Sequence, residues 1–144
     1  MKLDDEQSAD LFRLLCGELI GEGQFRKVFA CNIMPDCVVK IDTRSNWSNV
    51  GEMEMWDELR GSPLARWLAP VEWLSAGGIW LIQKRTQPIK AEQLPRRIPD
   101  IFADLKPENW GLLKGRPVCH DYGNHNAYTV AKRRARLRAV RWRL

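Results

Sequence analysis

Asp104, Lys106 and Asn109 fall within the short stretch ADLKPENWG, and Asp121 follows in HDYG. A carboxylate and an amide five positions apart, with a second carboxylate soon after, are the oxygen ligands that a hard divalent cation takes. A cation held that way can in turn carry a phosphate. Lys106 would set a positive charge beside it. The same residues also suit an ordinary polar loop, since Asp, Asn and Pro are turn formers. The surrounding elements have to decide.

Residues 4–16 predict a short amphipathic helix: Leu11, Leu14 and Leu15 lie at helical spacing behind an acidic first turn, and Gly17 ends the run. From 18 to 42 the texture is that of strands, with ELIGEGQFRKVFACNI forming two around a glycine turn and CVVKID a third after a Pro-Asp turn. Residues 49–60 predict a second helix, where Asn49 and Glu52 have capping-box spacing and Gly61-Ser62-Pro63 is the stop. APVEWLSAGGIWLIQ predicts a hairpin turning at Ala-Gly-Gly, and 84–100 is basic and proline-punctuated with little periodicity. No internal repeat is visible. The class expected is α+β.

Size and composition set outer limits. The 144 residues, 44% hydrophobic and 28% charged with seven tryptophans, suit one globular domain rather than a disordered chain. No apolar run reaches membrane-span length, and MKLDDEQSAD lacks the basic-then-apolar order of a signal peptide. Cys16, Cys31, Cys37 and Cys119 make no C-x-x-C pair, so reduced thiols in a cytoplasm are expected. Cys119, His120 and His125 match no common zinc spacing. The formal charge of +5 belongs to AKRRARLRAVRWRL, which holds seven cations and no acid; the remainder carries 16 basic against 18 acidic residues.

Three further candidates lie upstream. Gly21 and Gly23 sit two apart at a strand-to-strand turn, where backbone N–H groups can approach a phosphate, although a plain hairpin turn also fits. Arg26 follows where a third glycine would make a dinucleotide fingerprint, and no Walker A run exists in the chain. Lys40 lies among apolar residues of a strand, sharing a face with Val38 and Asp42, which is uncomfortable unless an anion meets it. Glu52 points with Trp56 and Leu59 and is the natural partner, besides being a capping acid. Glu54 and Glu58 share a solvated face.

In order, these elements are a glycine loop, a strand lysine, a helix glutamate, Asp104 to Asn109, and Asp-aromatic-Gly. Over roughly 18–123 the chain resembles the eukaryotic-type Ser/Thr protein kinases, and more narrowly the very small kinase-like proteins of bacteriophage genomes. DLKPEN matches the family's catalytic loop, and DYG stands where the family has Asp-Phe-Gly. The resemblance implies a kinase-like N-lobe: an antiparallel five-stranded sheet plus one helix, here followed by the catalytic loop and Asp-Tyr-Gly. It divides the chain into an N-terminal helix (1–17), a minimal kinase-like domain (18–123) and a basic C-terminal helix or tail (124–144). It further implies ATP and Mg²⁺ as cofactors. Gly21, Gly23 and Val28 would bind ATP, as would Lys40 oriented by Glu52. Asn109 and Asp121 would hold metal. Asp104 would accept the substrate's proton, and Lys106 would stabilise the transferring phosphoryl group. Adenine contacts would come from the backbone near Gln83–Arg85.

Four departures from the family pattern bear on function. Arg26 replaces the third glycine, which puts a charge near the phosphates that would help bind them or close the loop. Phe102 and Ala103 replace His-Arg before the catalytic aspartate, which removes the receptor for an activation-loop phosphate. Only 13 residues, Lys90 to Phe102, separate the hinge region from the loop, and 21 follow Gly123, so the helical C-lobe is expected to be almost entirely missing. Two readings follow. One is an ATP/Mg²⁺-dependent phosphotransferase acting on a Ser/Thr hydroxyl of a protein, phage-encoded and working in the host bacterial cytoplasm. The other is a non-catalytic kinase-like effector that binds and inhibits a host protein, with or without nucleotide. Apolar surface left by the absent lobe would be covered by the N-terminal helix or by a second copy of the chain. The basic tail, through Arg133, Arg134, Arg136 and Arg138, would bind a protein partner or nucleic acid, or be a solvated terminus.

Overall fold

A computed structural model describes residues 4–44, 46–123 and 135–144. Helix α1 (Asp5–Leu15) starts at a capping box in which the Asp4 carboxylate accepts from Gln7 N at 2.7 Å and Gln7 Oε1 accepts from Asp4 N at 3.1 Å. Strand β1 (Cys16–Glu22) follows directly, then β2 (Arg26–Cys31), β3 (Cys37–Asp42), α2 (Ser48–Leu59), β4 (Val71–Leu74) and β5 (Trp80–Lys84). The five strands form one antiparallel sheet in the order β1-β2-β3-β5-β4, which places β3 at its centre. This is the α+β arrangement expected from the sequence, an antiparallel five-stranded sheet with one helix carrying Glu52 beside it.

Register sorts the faces. Val39 stands opposite Ile82 and Lys40 opposite Leu81, so the alternation of side chains sends these pairs to opposite sides. On the first side Val39 and Ile82 join Leu15, Phe29 and Cys37 under α1, whose Phe12 ring meets Phe29 edge-on at 5.2 Å. On the second side Leu81 joins Met55 and Leu59 of α2 and the residues after β5. With both faces covered, β3 is buried at every position except Ile41, which is partly buried.

Helix α2 begins differently from its sequence signal. Trp47 is the N-cap in a left-handed conformation (φ 65°) with no side-chain cap, and Asn46 Oδ1 accepts from Ser48 N at 3.2 Å. Asn49 is inside the helix and fully buried, where its amide donates to Lys40 O at 3.1 Å and to Ile79 O at 2.8 Å. The side chain read as a cap therefore ties α2 to β3 and to the β4–β5 hairpin, and its buried amide is satisfied by two backbone carbonyls.

The second half of the chain is assembled from short pieces: β6 (Arg97–Pro99), β7 (Trp110–Leu113), β8 (Arg116–Cys119) and β9 (Leu137–Ala139), with brief 3₁₀ turns between some of them. Strands β7 and β8 pair across Lys114 (φ 50°) and Gly115 (φ 77°), a two-residue turn whose left-handed backbone suits hairpin twist. The C-terminal segment corrects the helical reading of the basic tail. Its described part is extended: β9 pairs antiparallel with β6, Leu137 with Pro99 and Ala139 with Arg97. Trp142 packs its ring on Trp110 at 5.4 Å and donates Nε1–H to Pro95 O at 3.0 Å. The tail thus covers part of the apolar surface that Phe102 and Trp110 would otherwise present. Arg133 and Arg134 lie outside the described residues. Arg136 and Arg138 remain exposed, and Arg138 Nη2 donates to Phe102 O at 2.6 Å.

Candidate functional site

Val28 pairs with Lys40 and Arg26 with Asp42 across β2 and β3, so Arg26, Val28, Val38 and Lys40 share the face turned toward α2. Glu52, one turn into α2, is fully buried beneath them. The Lys40 ammonium meets Glu52 Oε1 at 2.6 Å and also donates to His120 O. Arg26 donates Nη1–H to Glu52 Oε2 and, at 3.2 Å, to Asn49 Oδ1; its Nη2 lies 2.7 Å from Asp121 Oδ1. Gln83 Nε2 completes the surroundings of Glu52 at 3.2 Å. Two cations and two carboxylates thus neutralise one another in a largely buried cluster.

The electrostatics follow from that packing. Burial pushes the Lys40 ammonium's pKa down, with Glu52 opposing, and the net direction is downward. Burial would raise the Asp121 carboxyl, but Lys40 and Arg26 outweigh it and hold the group below the usual carboxylate range. Burial likewise disfavours the Arg26 cation, and Glu52 and Asp121 reverse the effect.

Asp121 reaches this cluster because the DYG backbone crosses α2 in direct contact. A Cβ on Gly123 would collide with Ser48 O, and one on Gly51 with Gly123 O, so both positions accept only glycine without backbone movement. Tyr122 is fully buried and donates its hydroxyl to Ala69 O at 2.7 Å. On the other side of Asp121, His120 N donates to Asn109 O at 2.8 Å at the open end of the β7–β8 hairpin. That hairpin joins the two halves of the sequence signal.

The residues of the DLKPEN stretch form a second group. Asn109 donates Nδ2–H to Asp104 Oδ2 at 3.2 Å, and Lys106 Nζ stands 3.8 Å from the same oxygen. Asp104 Oδ1 is buried without a hydrogen-bond partner among the described residues. Arg143 N donates to Leu105 O at 3.1 Å, and the Arg138 guanidinium holds Phe102 O, so the tail braces the loop from both ends of Asp104.

Between sheet and loop opens a cavity of about 530 Å³. Gly21, Gly23, Val28, Lys40 and Asp121 line it, with apolar walls from Ile20, Val38 and Trp110. Glu52 lies behind Lys40, whereas Asp104, Lys106 and Asn109 are outside the lining. Neither Gly21 nor Gly23 has a positive φ, and a Cβ on Gly21 would meet nothing within 4 Å. No contact among the described residues requires glycine at 21. The segment expected to contact adenine, Gln83–Arg85, does line the cavity, but its donors are partly spent: Lys84 N donates to Pro70 O and Arg85 N to Asp36 O.

Among the described residues no group of three or more His, Cys, Asp or Glu side chains could hold a metal alone. Asp121 and Asn109 supply one carboxylate and one amide, so a divalent ion here would need further oxygens from a ligand and water. The Asp121 side chain is 45% exposed, which leaves room for such an ion, but Arg26 already holds Oδ1. The donor chemistry fits; the cation competing for it is the chain's own.

Sequence reading put the Arg26 charge near the phosphates but missed its pairing with Glu52 and Asp121, and it missed the contacts of His120. The signal for Arg26 was its period-two spacing from Val28. His120 Nε2 lies 2.7 Å from Glu108 O and its Nδ1 2.8 Å from Thr86 Oγ1, contacts between distant segments that no spacing rule reveals.

No protein-family model matches the chain, and no curated protein matches it. Among solved structures it is similar to the streptomycin–ATP–APH(2")-IIa ternary complex, with 24% identity and a TM-score of 0.45 over 62% of this chain and 31% of that one. The gentamicin–APH(2")-IIa complex gives 24% and 0.46, over 65% and 32%. The chain spans about a third of the length of these structures. No helix among the described residues is long and apolar enough to cross a membrane.

Proposed function

We propose that the chain is a phosphotransferase of minimal protein-kinase type, moving the γ-phosphoryl group of ATP, with Mg²⁺, onto a Ser or Thr hydroxyl of a protein. One observation carries this reading: a single cavity is lined at once by the Gly21–Gly23 turn, by Lys40 backed by buried Glu52, and by Asp121. Gly21 lines the cavity with open space where a Cβ would stand, which leaves room for a ligand to approach its backbone. Lys40 would hold nucleotide phosphates, while Asp121 and Asn109 would hold the metal that neutralises them. Asp104 would take the acceptor's proton through its unpartnered Oδ1. Lys106 would offset charge on the transferring group. The resemblance supports a phage source and a host-protein substrate.

The test pairs binding with transfer. Saturation at a hundredfold excess of ATP over its dissociation constant adds about 2.7 kcal/mol of stability, read as a thermal upshift of several degrees. Asp104→Ala should retain that upshift and lose transfer of labelled γ-phosphate, whereas Lys40→Ala should lose both. Transfer persisting in Asp104→Ala would remove it as the base. A flat melting temperature at millimolar ATP, with and without metal, would remove the nucleotide reading altogether.

A second reading rests on Arg26, which holds the carboxylate proposed for metal: a non-catalytic kinase-like effector that blocks a host protein. A biological effect undiminished in Asp104→Ala would favour it; loss of the effect in that variant would exclude it.

A further inference from the structure

We propose that Arg26 is the resident cation of the Asp121 carboxylate, so that nucleotide enters this site without a divalent ion and a metal reaches Asp121 only by displacing the guanidinium. The inference rests on the nucleotide reading of the cavity and adds the order in which its charges are supplied.

A carboxylate facing a triphosphate repels it unless a cation stands between them, and a divalent ion ordinarily supplies that cation. Here Arg26 Nη2 lies 2.7 Å from Asp121 Oδ1 while Nη1 engages Glu52 and Asn49. A guanidinium presents its donors in a rigid planar fork, so it can bridge two carboxylates that a single ammonium could not hold together in the same plane. Its side chain is 9% exposed, its position is fixed by β2 pairing, and it also lines the cavity. Asp121 therefore meets incoming phosphates already neutralised. Lys40 spends two of its three N–H donors on Glu52 and His120 O, which leaves one for a phosphate oxygen.

The same geometry sets the competition. A metal on Asp121 would stand close to the Arg26 cation, and like charges at that range repel. Metal entry thus requires Arg26 to release Oδ1 and turn toward the phosphates or solvent. Arg26 acts through Asp121 and is a positioning residue.

Thermal unfolding of the full chain with millimolar ATP, in EDTA and in excess Mg²⁺, tests the first half. The wild type should shift upward in EDTA, and Arg26→Gln should lose that shift while keeping the one in Mg²⁺. Mn²⁺ binding without nucleotide, followed by the free-ion paramagnetic resonance signal, tests the second. Removing one charge-assisted bond to Asp121 should tighten Mn²⁺ by about tenfold in Arg26→Gln. Arg26→Lys keeps the charge but cannot bridge both carboxylates; it should also bind Mn²⁺ more tightly than wild type, and it serves if the glutamine variant fails to fold. A wild-type shift in Mg²⁺ but none in EDTA would overturn the inference and leave the nucleotide site standing. No shift in either would overturn both. Equal Mn²⁺ affinity in wild type and variants would show that Arg26 does not compete for Asp121.

Discussion

On the sheet side of the cavity Glu52 is fully buried and satisfied by Lys40, Arg26 and Gln83. On the loop side Asp104 keeps one oxygen without a partner among the described residues, and its cation, Lys106, stands half-exposed at 3.8 Å. Both sides carry a carboxylate and a lysine, yet only the first closes its charges. A buried charge cluster with no hydrophobic alternative must be complete, because an unpaired member bears the whole desolvation cost. On the loop side the buried Asp104 Oδ1 bears a desolvation cost that nothing among the described residues offsets, and a donor from outside would relieve it. The sheet side is therefore the fixed half of the site, and the loop side is where an added molecule has most to offer.

The contrast breaks most sharply at Glu52. Glu52→Ala strands the buried Lys40 cation and takes from Arg26 one of its two carboxylates, and a loss of about 3–5 kcal/mol in urea unfolding is expected. A loss below about 1 kcal/mol would mean that water already screens the cluster.

The loop side should depend on aromatic packing rather than on charge. Trp142→Ala removes the ring from Trp110 and the donor from Pro95 O, and should cost about 2 kcal/mol, below the value for a fully buried tryptophan. The readout that separates this from general weakening is amide exchange at 102–105, which should accelerate while β3 stays protected.

The smallest effect probes the joint between the halves. His120 contacts Thr86 and Glu108 O, and burial first and Lys40 second push its imidazole below the ordinary value of 6.5. The unfolded chain then binds the proton more readily, so this contribution is intact above pH 6.5 and lost as pH falls through the folded value. His120→Gln should flatten the acid-side fall in stability by at most about 1.4 kcal/mol per pH unit. An unchanged slope would place the acid sensitivity elsewhere.

Much of the site could be read before the fold was known. Lys40 among apolar strand residues asked for an anion, and Glu52 on the buried stripe of α2 was in the right place to supply one, because both periodicities are local. Asp104 and Asn109 were grouped by spacing, and a short loop brings them within hydrogen-bond reach. The tail was harder. Arg136, Leu137, Arg138 and Ala139 alternate with period two, which suits a strand, but their pairing partner is the three-residue β6 inside a proline-punctuated stretch. An edge pairing so brief leaves no separate periodic mark. Asn49 misled for a related reason, since its capping-box spacing was real while its carbonyl partners came from Lys40 and Ile79.

Residue types and short-range spacing were enough to nominate the charged groups, the glycine turn and the strand and helix that carry them, because backbone period and turn chemistry act over a few positions. Partner choice lay beyond them. Whether Asp121 faces a metal or Arg26 depends on the β2–β3 register, on the contact of Gly123 with α2 and on the β7–β8 hairpin acting together. Each of these brings together residues far apart in the chain, and a charge answers to whatever lies within a few ångströms of it.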